Sequence, residues 1–348
     1  MSIAPRVDIA GAGVFGLCIA VQLALAGARV RLFDPAVLGD NASGVAAGML
    51  APVSEALTDP AAAPHLPLLM AAREVWPDFA RTVGVSLDQQ GAVLVGDQAR
   101  LDALQARADA FEIRLKARTK GQLPALPTGW DPSVAGGLFT AQDWRIDASA
   151  LTQLAKVAQD AGVGFVRESF NPGEADHHVL AGGLSAGLRR FAPELGLLSP
   201  VRGHILVCDG VAYDGPAVRG LGAYAAPSDA GLLIGATMEP GEATAEVSRA
   251  IADALAGQAV RTFPGLADLR WRAQAGVRAA TPDGLPLVGP SAEGMLLSAG
   301  ARRNGWLLGP LVGEMITALV FDRDPGPWAA SLAPDRFNAV ERTWLARR

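Results

Sequence analysis

Cysteine and histidine are scarce in this 348-residue chain, which has 2 cysteines and 4 histidines. Cys18 lies in an apolar helical pattern and Cys208 ends an apolar strand pattern, and neither has a CxxC partner. We therefore expect two free, buried thiols in a reducing compartment. The histidines, at positions 65, 177, 178 and 204, show no spacing typical of metal ligands, and no metal site is predicted.

Lysine is also rare, with residues only at positions 116, 120 and 156, and no run of basic residues is longer than a pair. Together with the net charge of -5, this argues against nucleic acid as a partner. The longest apolar stretch, residues 14–28, is interrupted by glycines and by Gln22, so we predict no transmembrane segment. The N-terminus has no signal-peptide pattern, and a cytoplasmic location is expected.

Hydrophobic residues, by contrast, make up 50% of the chain, enough for two domains with large cores. The pattern begins with a strand at 7–10, a helix at 14–26 and a strand at 29–33. It becomes rich in short strands between 203 and 237, and it ends with a strand at 295–300 and a helix at about 309–321. Residues 98–116 are predicted to be helical, and the Pro- and Gly-rich residues 120–138 to be a loop. This order predicts an α/β protein in which one domain is built from separated segments.

The stretch "GAGVFG" places Gly11, Gly13 and Gly16 between a predicted strand and a predicted helix. Such glycines permit a tight turn, a close approach of the backbone to a pyrophosphate, and close packing of helix on strand. Asp34 ends the next strand, where an acid accepts hydrogen bonds from a ribose diol. The motif predicts a dinucleotide site but leaves NAD and FAD both open. The following loop, "DNASGVAAGMLAP", is rich in small residues and suits contact with a long cofactor.

These segments, together with "VRGHILV", "AYAAPSDAGLLIGATMEPGE", "WRAQAGVRAATPDGLPLVGP" and "LLSAGARRNGWLLGPLVGEMITALV", resemble the D-amino acid oxidase superfamily, in particular the glycine oxidases of thiamine biosynthesis. The matching blocks cover residues 7–52 and 201–320, whereas 97–140 match weakly. The resemblance implies an FAD-binding Rossmann-like domain of separated segments, 1–86, 142–198 and 276–348. It also implies an α+β substrate domain with a large mixed sheet, 87–141 and 199–275.

The resemblance also implies which residues bind FAD. A non-covalent FAD is expected, because no Cys or His stands where the related sarcosine oxidases attach their flavin. Asp34 would hold the adenosine ribose and Ser43 would lie near the phosphates. The residues expected along the flavin or at its pyrimidine edge, where a helix would begin near Leu308, are Ala47, Gly48, Met49, Arg303, Asn304, Gly305 and Leu308.

For the substrate, the resemblance implies that Arg278 and Tyr224 hold a carboxylate, with Arg303 as a second positive charge and Met49 and Met238 in the pocket. Arginine suits this task because its planar fork meets a carboxylate in a bidentate way. Arg302, next to Arg303, is expected to be solvated. The implied reaction passes a hydride from the Cα of a neutral amine to flavin N5, and oxygen or another acceptor then reoxidises the flavin.

The sequence departs from the family pattern at three places. The segment between Gly162 and His177 is short, Ala301 stands where the family often has His, and Gly222 stands where a polar group often approaches the active site. A bulkier amine than glycine is therefore possible. The alternatives left open are a D-amino acid or secondary-amine dehydrogenase that passes electrons to a quinone, a decayed flavin-binding protein, and an NAD-dependent dehydrogenase. A homo-oligomer is also left open.

Overall fold

A computed structural model describes residues 4–337 of the chain. Two large sheets and a surrounding set of helices make up this part. The strands are β1 (Arg6–Ala10), β2 (Arg29–Phe33), β3 (Met49–Leu50), β4 (Ala92–Gly96), β5 (Lys116–Thr119), β6 (Gly136–Thr140), β7 (Trp144–Arg145), β8 (Gly164–Val166), β9 (His177–Leu180), β10 (Ser199–Asp209), β11 (Ala217–Arg219), β12 (Tyr224–Ser228), β13 (Gly231–Gly235), β14 (Glu239–Pro240), β15 (Arg272–Ala280), β16 (Leu287–Pro290) and β17 (Leu296–Ala299).

The helices lie mainly against the first sheet. They are α1 (Val14–Leu25), α2 (Ala42–Val45), α3 (Pro52–Thr58), α4 (Leu66–Val83), α5 (Gln98–Ala110), α6 (Ala150–Asp160), α7 (Arg249–Ala259), α8 (Gly305–Val320) and α9 (Ala329–Leu332). None of the helices in residues 4–337 has the length and apolar character needed to cross a membrane.

The first sheet has six strands in the order β16-β17-β9-β1-β2-β8. β17, β9, β1, β2 and β8 run parallel to their neighbours, and only β16 is antiparallel. β1, α1 and β2 form a βαβ unit, and α1 is buried on nearly all sides. The long parallel sheet covered by apolar helices confirms the predicted Rossmann-like α/β part.

Helix α8 packs against α1 through small residues. A Cβ at Gly309 would lie 3.1 Å from the Cys18 sulfur, and a Cβ at Gly313 would lie 2.5 Å from Gln22 Nε2. The Gln22 amide also donates to the Pro310 carbonyl at 2.9 Å. Both cysteines are free and buried, as predicted. Burial raises the pKa of both thiols, that of Cys208 to about 11.

The second sheet has nine strands and is largely antiparallel. Its order is β14-β10-β13-β12-β11-β4-β6-β5, with β15 paired to β10 along nine residues. Only β11 and β4 run parallel to each other. This sheet confirms the predicted mixed sheet, and residues of β10, β12, β13 and β15 pack against the segment 42–49, which follows β2.

Two local predictions are wrong in residues 98–138. Helix α5 ends at Ala110, and Lys116–Thr119 form β5 instead of a last helical turn. Gly136–Thr140 form β6 rather than a loop. β6 pairs with β4 on one side and with β5 on the other, and the local sequence pattern does not report such cross-strand pairs.

The strands of the two sheets come from different parts of the chain. Every strand of the six-stranded sheet lies in 1–86, 142–198 or 276–348, and the nine-stranded sheet is drawn from 87–141 and 199–275 apart from the end of β15. The boundary expected at 275/276 falls inside β15. Residues 1–3 and 338–348 of the expected FAD domain lie outside the described residues, and the division into domains stays a prediction.

Candidate active site

The glycine turn after β1 is tightly packed and leaves no room for side chains. Gly11 has φ +104°, and a Cβ there would lie 2.6 Å from the Ala181 carbonyl oxygen. A Cβ at Gly16 would collide with the Gly11 carbonyl oxygen, so α1 can approach β1 only because position 16 is glycine. The turn therefore brings backbone amides to the start of α1, where an anion is favoured.

Asp34 lies beside this turn. Its carboxylate accepts hydrogen bonds from the Ala12 amide at 2.7 Å and from the Ala36 amide at 2.9 Å. These bonds fix the carboxylate at the rim of a cavity of about 390 Å³ that Gly11, Gly13 and Ser43 also line. Each oxygen keeps a further lone pair, which a ribose hydroxyl can use.

Ser43 reaches the same cavity from the loop after β2. Asn41 caps α2 by accepting from the Ser43 and Gly44 amides, which sets the position of Ser43. The Ser43 hydroxyl then accepts from the Val14 amide at 3.1 Å, at the first turn of α1. The turn, the hydroxyl and the acid form a cradle that fits the diphosphate and ribose of a dinucleotide.

A second cavity, of about 340 Å³, lies between the loop 46–49 and the nine-stranded sheet. Its lining brings together most of the residues predicted for the flavin and the substrate: Ala47, Gly48, Met49, Tyr224, Met238, Arg278 and Arg303. Arg278 lines both cavities, and the two meet there. A ligand longer than either cavity can therefore extend from the glycine turn to Tyr224.

Gly48 shapes the loop that borders this cavity. It has φ +65°, and a Cβ there would collide with the Ile146 carbonyl oxygen. The neighbouring residues form β3, which pairs with β7. The backbone at 47–49 therefore packs closely against Ile146, and Met49 lines the cavity.

Arg278 stands on β15 opposite Val201 of β10. Its guanidinium lies over Gly203, where a Cβ would collide with Nη1 and Nη2, and it donates to the Thr237 carbonyl at 3.4 Å. Burial lowers the pKa of Arg278, although Tyr224 and Glu55 act against that change. Within residues 4–337 it makes no ion pair with a carboxylate, so its fork is open to an anion in the cavity.

Tyr224 lies beside Arg278 in the same cavity. Its ring covers Gly235, its partner across the β12–β13 ladder, where a Cβ would collide with the ring and hydroxyl. Burial raises the pKa of the Tyr224 hydroxyl, while Arg278, Arg219 and Arg303 act in the opposite direction without cancelling the rise. The hydroxyl is therefore protonated at neutral pH and can donate a hydrogen bond to an anion.

Gly203→Ala is expected to move Arg278 without unfolding the protein. The added methyl group must displace the end of a flexible side chain, which costs little stability but misplaces the guanidinium. We expect a rise in the substrate KM of about tenfold or more, with the thermal unfolding midpoint changed by less than about 3 °C. Gly196→Ala is the matched control, since nothing lies within 4 Å of its Cβ position. An unchanged KM for Gly203→Ala would contradict this placement of Arg278.

Sequence reasoning missed a group of charged residues beside Tyr224. Glu55 on α3 is 5% exposed; its Oε2 accepts from Arg303, and its Oε1 lies 3.2 Å from Arg219 Nη2. Burial alone would raise the pKa of Glu55, but Arg303 and Arg219 outweigh it and the pKa is lowered. One signal was available: Glu55 and Asp59 are four residues apart, on one face of a helix directly after "AAGML".

Arg302 and Arg303 both form ion pairs with acids of α3 or its C-cap, Asp59. Arg302 pairs with Asp59, and Arg303 pairs with Glu55 and lies 3.7 Å from Asp59. The expectation that Arg302 is solvated is therefore wrong. Arg303 does face the second cavity, as predicted, but as a member of an ion-pair network rather than as a free charge.

The expected helix start near Leu308 is also wrong. α8 begins at Gly305 with Asn304 at its N-cap, and the Leu308 amide already donates to the Asn304 carbonyl at 2.9 Å. Leu308 is buried in the core among apolar side chains. The free amides of this helix are thus those of the first turn after Asn304, and Gly305 lines the first cavity.

No cluster of three or more His, Cys, Asp or Glu side chains suited to a metal ion occurs among residues 4–337. The donors around the two cavities are backbone amides, hydroxyls and guanidinium groups, which suit a phosphate-containing cofactor and an anionic substrate.

Comparisons with known proteins agree with this geometry. A glycine oxidase of Geobacillus kaustophilus is 30% identical over 94% of this chain and 95% of its own length. The crystal structure of glycine oxidase from Geobacillus kaustophilus superposes with a TM-score of 0.82 at 27% identity, covering 97% of this chain and 100% of the other.

A second relative is longer than this chain. The tRNA 5-methylaminomethyl-2-thiouridine biosynthesis bifunctional protein MnmC of Maricaulis maris is 31% identical over 95% of this chain but only 55% of its own length. The family model described as FAD dependent oxidoreductase, DAO, matches residues 6–319. The chain belongs to this DAO family and is an FAD-dependent oxidoreductase.

Proposed function

We propose that the protein oxidises glycine or another small amino acid at Cα, giving an imine, with oxygen as the acceptor and hydrogen peroxide as product. The observation that carries this proposal is the pair formed by Arg278 and Tyr224 where the two cavities meet. Arg278 offers a planar cation that has no carboxylate partner within residues 4–337, and Tyr224 offers a protonated hydroxyl, which together suit a carboxylate. The similarity to glycine oxidases supports the same proposed activity.

Arg278 and Tyr224 would hold the carboxylate and so orient Cα and its hydrogen. When bound, FAD accepts the hydride that leaves Cα. The guanidinium groups of Arg278 and Arg303 disfavour a further positive charge nearby, so they favour binding of the neutral amine over the ammonium ion. Met49 and Met238 line the apolar wall and limit water at the reacting carbon.

For the cofactor, we propose that Asp34 holds the adenosine ribose and that Ser43 and the glycine turn hold the diphosphate. Ala47, Gly48 and Met49 would lie along the flavin, and the first-turn amides of α8 would face its pyrimidine edge, where a helix N-terminus favours negative charge. The chain would bind FAD without a covalent link. A place in thiamine thiazole biosynthesis is proposed from the sequence resemblance alone.

Turnover of glycine, sarcosine and D-alanine by the purified holoenzyme tests this function. Oxygen should be consumed with one equivalent of hydrogen peroxide formed per imine. Turnover with a quinone or dye but not with oxygen would instead favour a dehydrogenase. Absence of turnover with any amine and either acceptor would contradict amine oxidation.

Oxidation of a secondary amine is the second candidate. It is supported by the similarity to the MnmC relative, whose name refers to a 5-methylaminomethyl group, which is a secondary amine. A higher kcat/KM for sarcosine than for glycine would favour this candidate.

A further inference from the structure

The second cavity carries more positive charge than one substrate carboxylate can use. Four arginines line it, namely Arg100, Arg219, Arg278 and Arg303, while Glu55 is the one carboxylate among its lining residues in the described part of the chain. With Arg278 assigned to the amino acid carboxylate, Arg303 is paired with Glu55 and lies 3.7 Å from Asp59. Arg219 has Glu55 at 3.2 Å and the charge of the buried Asp143 nearby, and Arg100 makes no ion pair with a described carboxylate. Such an imbalance in a partly desolvated site is costly unless an anion enters it.

Arg219 is the least satisfied of these groups. It ends β11 opposite Tyr224, with its guanidinium carbon 5.9 Å from the centre of the Tyr224 ring. Its side chain is only 12% exposed, and its Nε and Nη2 are buried without a hydrogen bond to any described residue. The Nη2 atom lies near Glu55 Oε1 but does not donate to it. Leaving buried donors unpaired is unfavourable, and more so for charged groups.

The surroundings of Arg219 leave space for a ligand. Gly220 and Gly222 follow it in sequence, and their backbone lines the same cavity while their Cβ positions face Thr262 and Gln258. Arg100 also lines this cavity, held in place by its bonds to the Val95 and Gly220 carbonyls, both at 3.1 Å. Burial lowers the pKa of Arg100, and it makes no ion pair with a described carboxylate.

We propose that the end of the cavity formed by Arg219, Arg100, Gly220 and Gly222 is a subsite for a second carboxylate of the substrate. The substrate class is then an amino acid, or a glycine substituted on nitrogen, that carries two acidic groups. Arg278 and Tyr224 hold the first carboxylate and Arg219 the second. The inference rests on the proposed function in one respect, the role of Arg278.

The test is a comparison of succinate with butyrate, which has the same chain length but one carboxylate. Both are titrated into the FAD holoenzyme, and the change in flavin absorbance gives Kd without turnover. We expect succinate to bind at least about tenfold more tightly than butyrate, because charge-assisted hydrogen bonds add at the second carboxylate. Arg219→Gln is expected to remove this preference and to leave the Kd of butyrate within about twofold.

Arg249→Gln is the control, because Arg249 is exposed on α7, away from the cavity, and its one ion pair within residues 4–337 is with Asp253. Arg100→Gln is a second variant at the edge of the subsite and is expected to weaken succinate binding in the same direction. Equal Kd values for the two acids in the unmodified protein, which need no variant, would overturn the subsite, as would a preference retained in Arg219→Gln. Failure of the proposed function is a separate result, in which the acids bind but no amine reduces the flavin.

Discussion

Replacing Arg278 with alanine is expected to lower kcat/KM for the best amine substrate about 100-fold or more, mainly through KM, with FAD still bound. The loss follows because Arg278 is the arginine that the described structure leaves without a carboxylate at the meeting point of the cavities. Removing one partner of a desolvated charge pair costs about 2–5 kcal/mol. Steady-state kinetics measures the loss in kcat/KM, and the flavin-to-protein absorbance ratio shows whether FAD is still bound.

Arg278→Lys separates charge from geometry. Lysine keeps the positive charge but loses the planar fork, so we expect it to recover only part of the lost affinity. Arg249→Gln serves again as the surface control. Unchanged kinetics in Arg278→Ala would remove the assigned role, and loss of FAD would show that the residue supports the cofactor instead.

Glu55→Gln is expected to destabilise the protein by about 3 kcal/mol, the largest stability effect of a single isosteric change that we predict. The variant keeps the shape of the side chain but leaves Arg219 in a buried site without its ion-pair partner, and it leaves Arg303 with Asp59 alone, at 3.7 Å. Asp253→Asn on the exposed surface of α7 is the matched control and should cost less than about 1 kcal/mol. Urea unfolding of the holoenzyme variants measures both.

The ion pairs of Glu55 with Arg219 and Arg303 also predict that the stability of the protein depends on pH. The pKa of Glu55 is lowered in the folded protein, so its contribution is complete above its ordinary value of 4.5 and is lost as the pH falls through the folded value. The stability difference between the unmodified protein and Glu55→Gln should therefore be largest at neutral pH and shrink below pH 4.5. A difference that stays constant from pH 7 to pH 3 would contradict the ion-pair network.

Local sequence was sufficient for the dinucleotide turn. Gly11, Gly13, Gly16 and Asp34 lie within one βαβ unit, where each residue has a role set by its immediate neighbours. Arg278 and Tyr224 were predicted as site residues from the resemblance to a family. The periodicity of helices and strands does not by itself indicate such a role. Both residues line the second cavity, and their role in holding a carboxylate stays a prediction.

The supporting residues could not be predicted because their partners are distant in sequence. Gly203 and Gly235 make room for Arg278 and Tyr224 from other strands, and such contacts depend on sheet register. Glu55 and Arg219 meet only when α3 lies against β11. β5 and β6 were missed for the same reason, since β6 pairs with β4 and β5 pairs with β6.

Anaerobic mixing of the purified holoenzyme with a panel of amino acids and N-substituted glycines tests the central claim most directly. We predict that at least one amine bleaches the flavin absorbance fully within a single turnover. The Arg278→Ala variant should need a far higher amine concentration for the same bleaching. A protein that carries FAD whose absorbance no amine in the panel bleaches would contradict it.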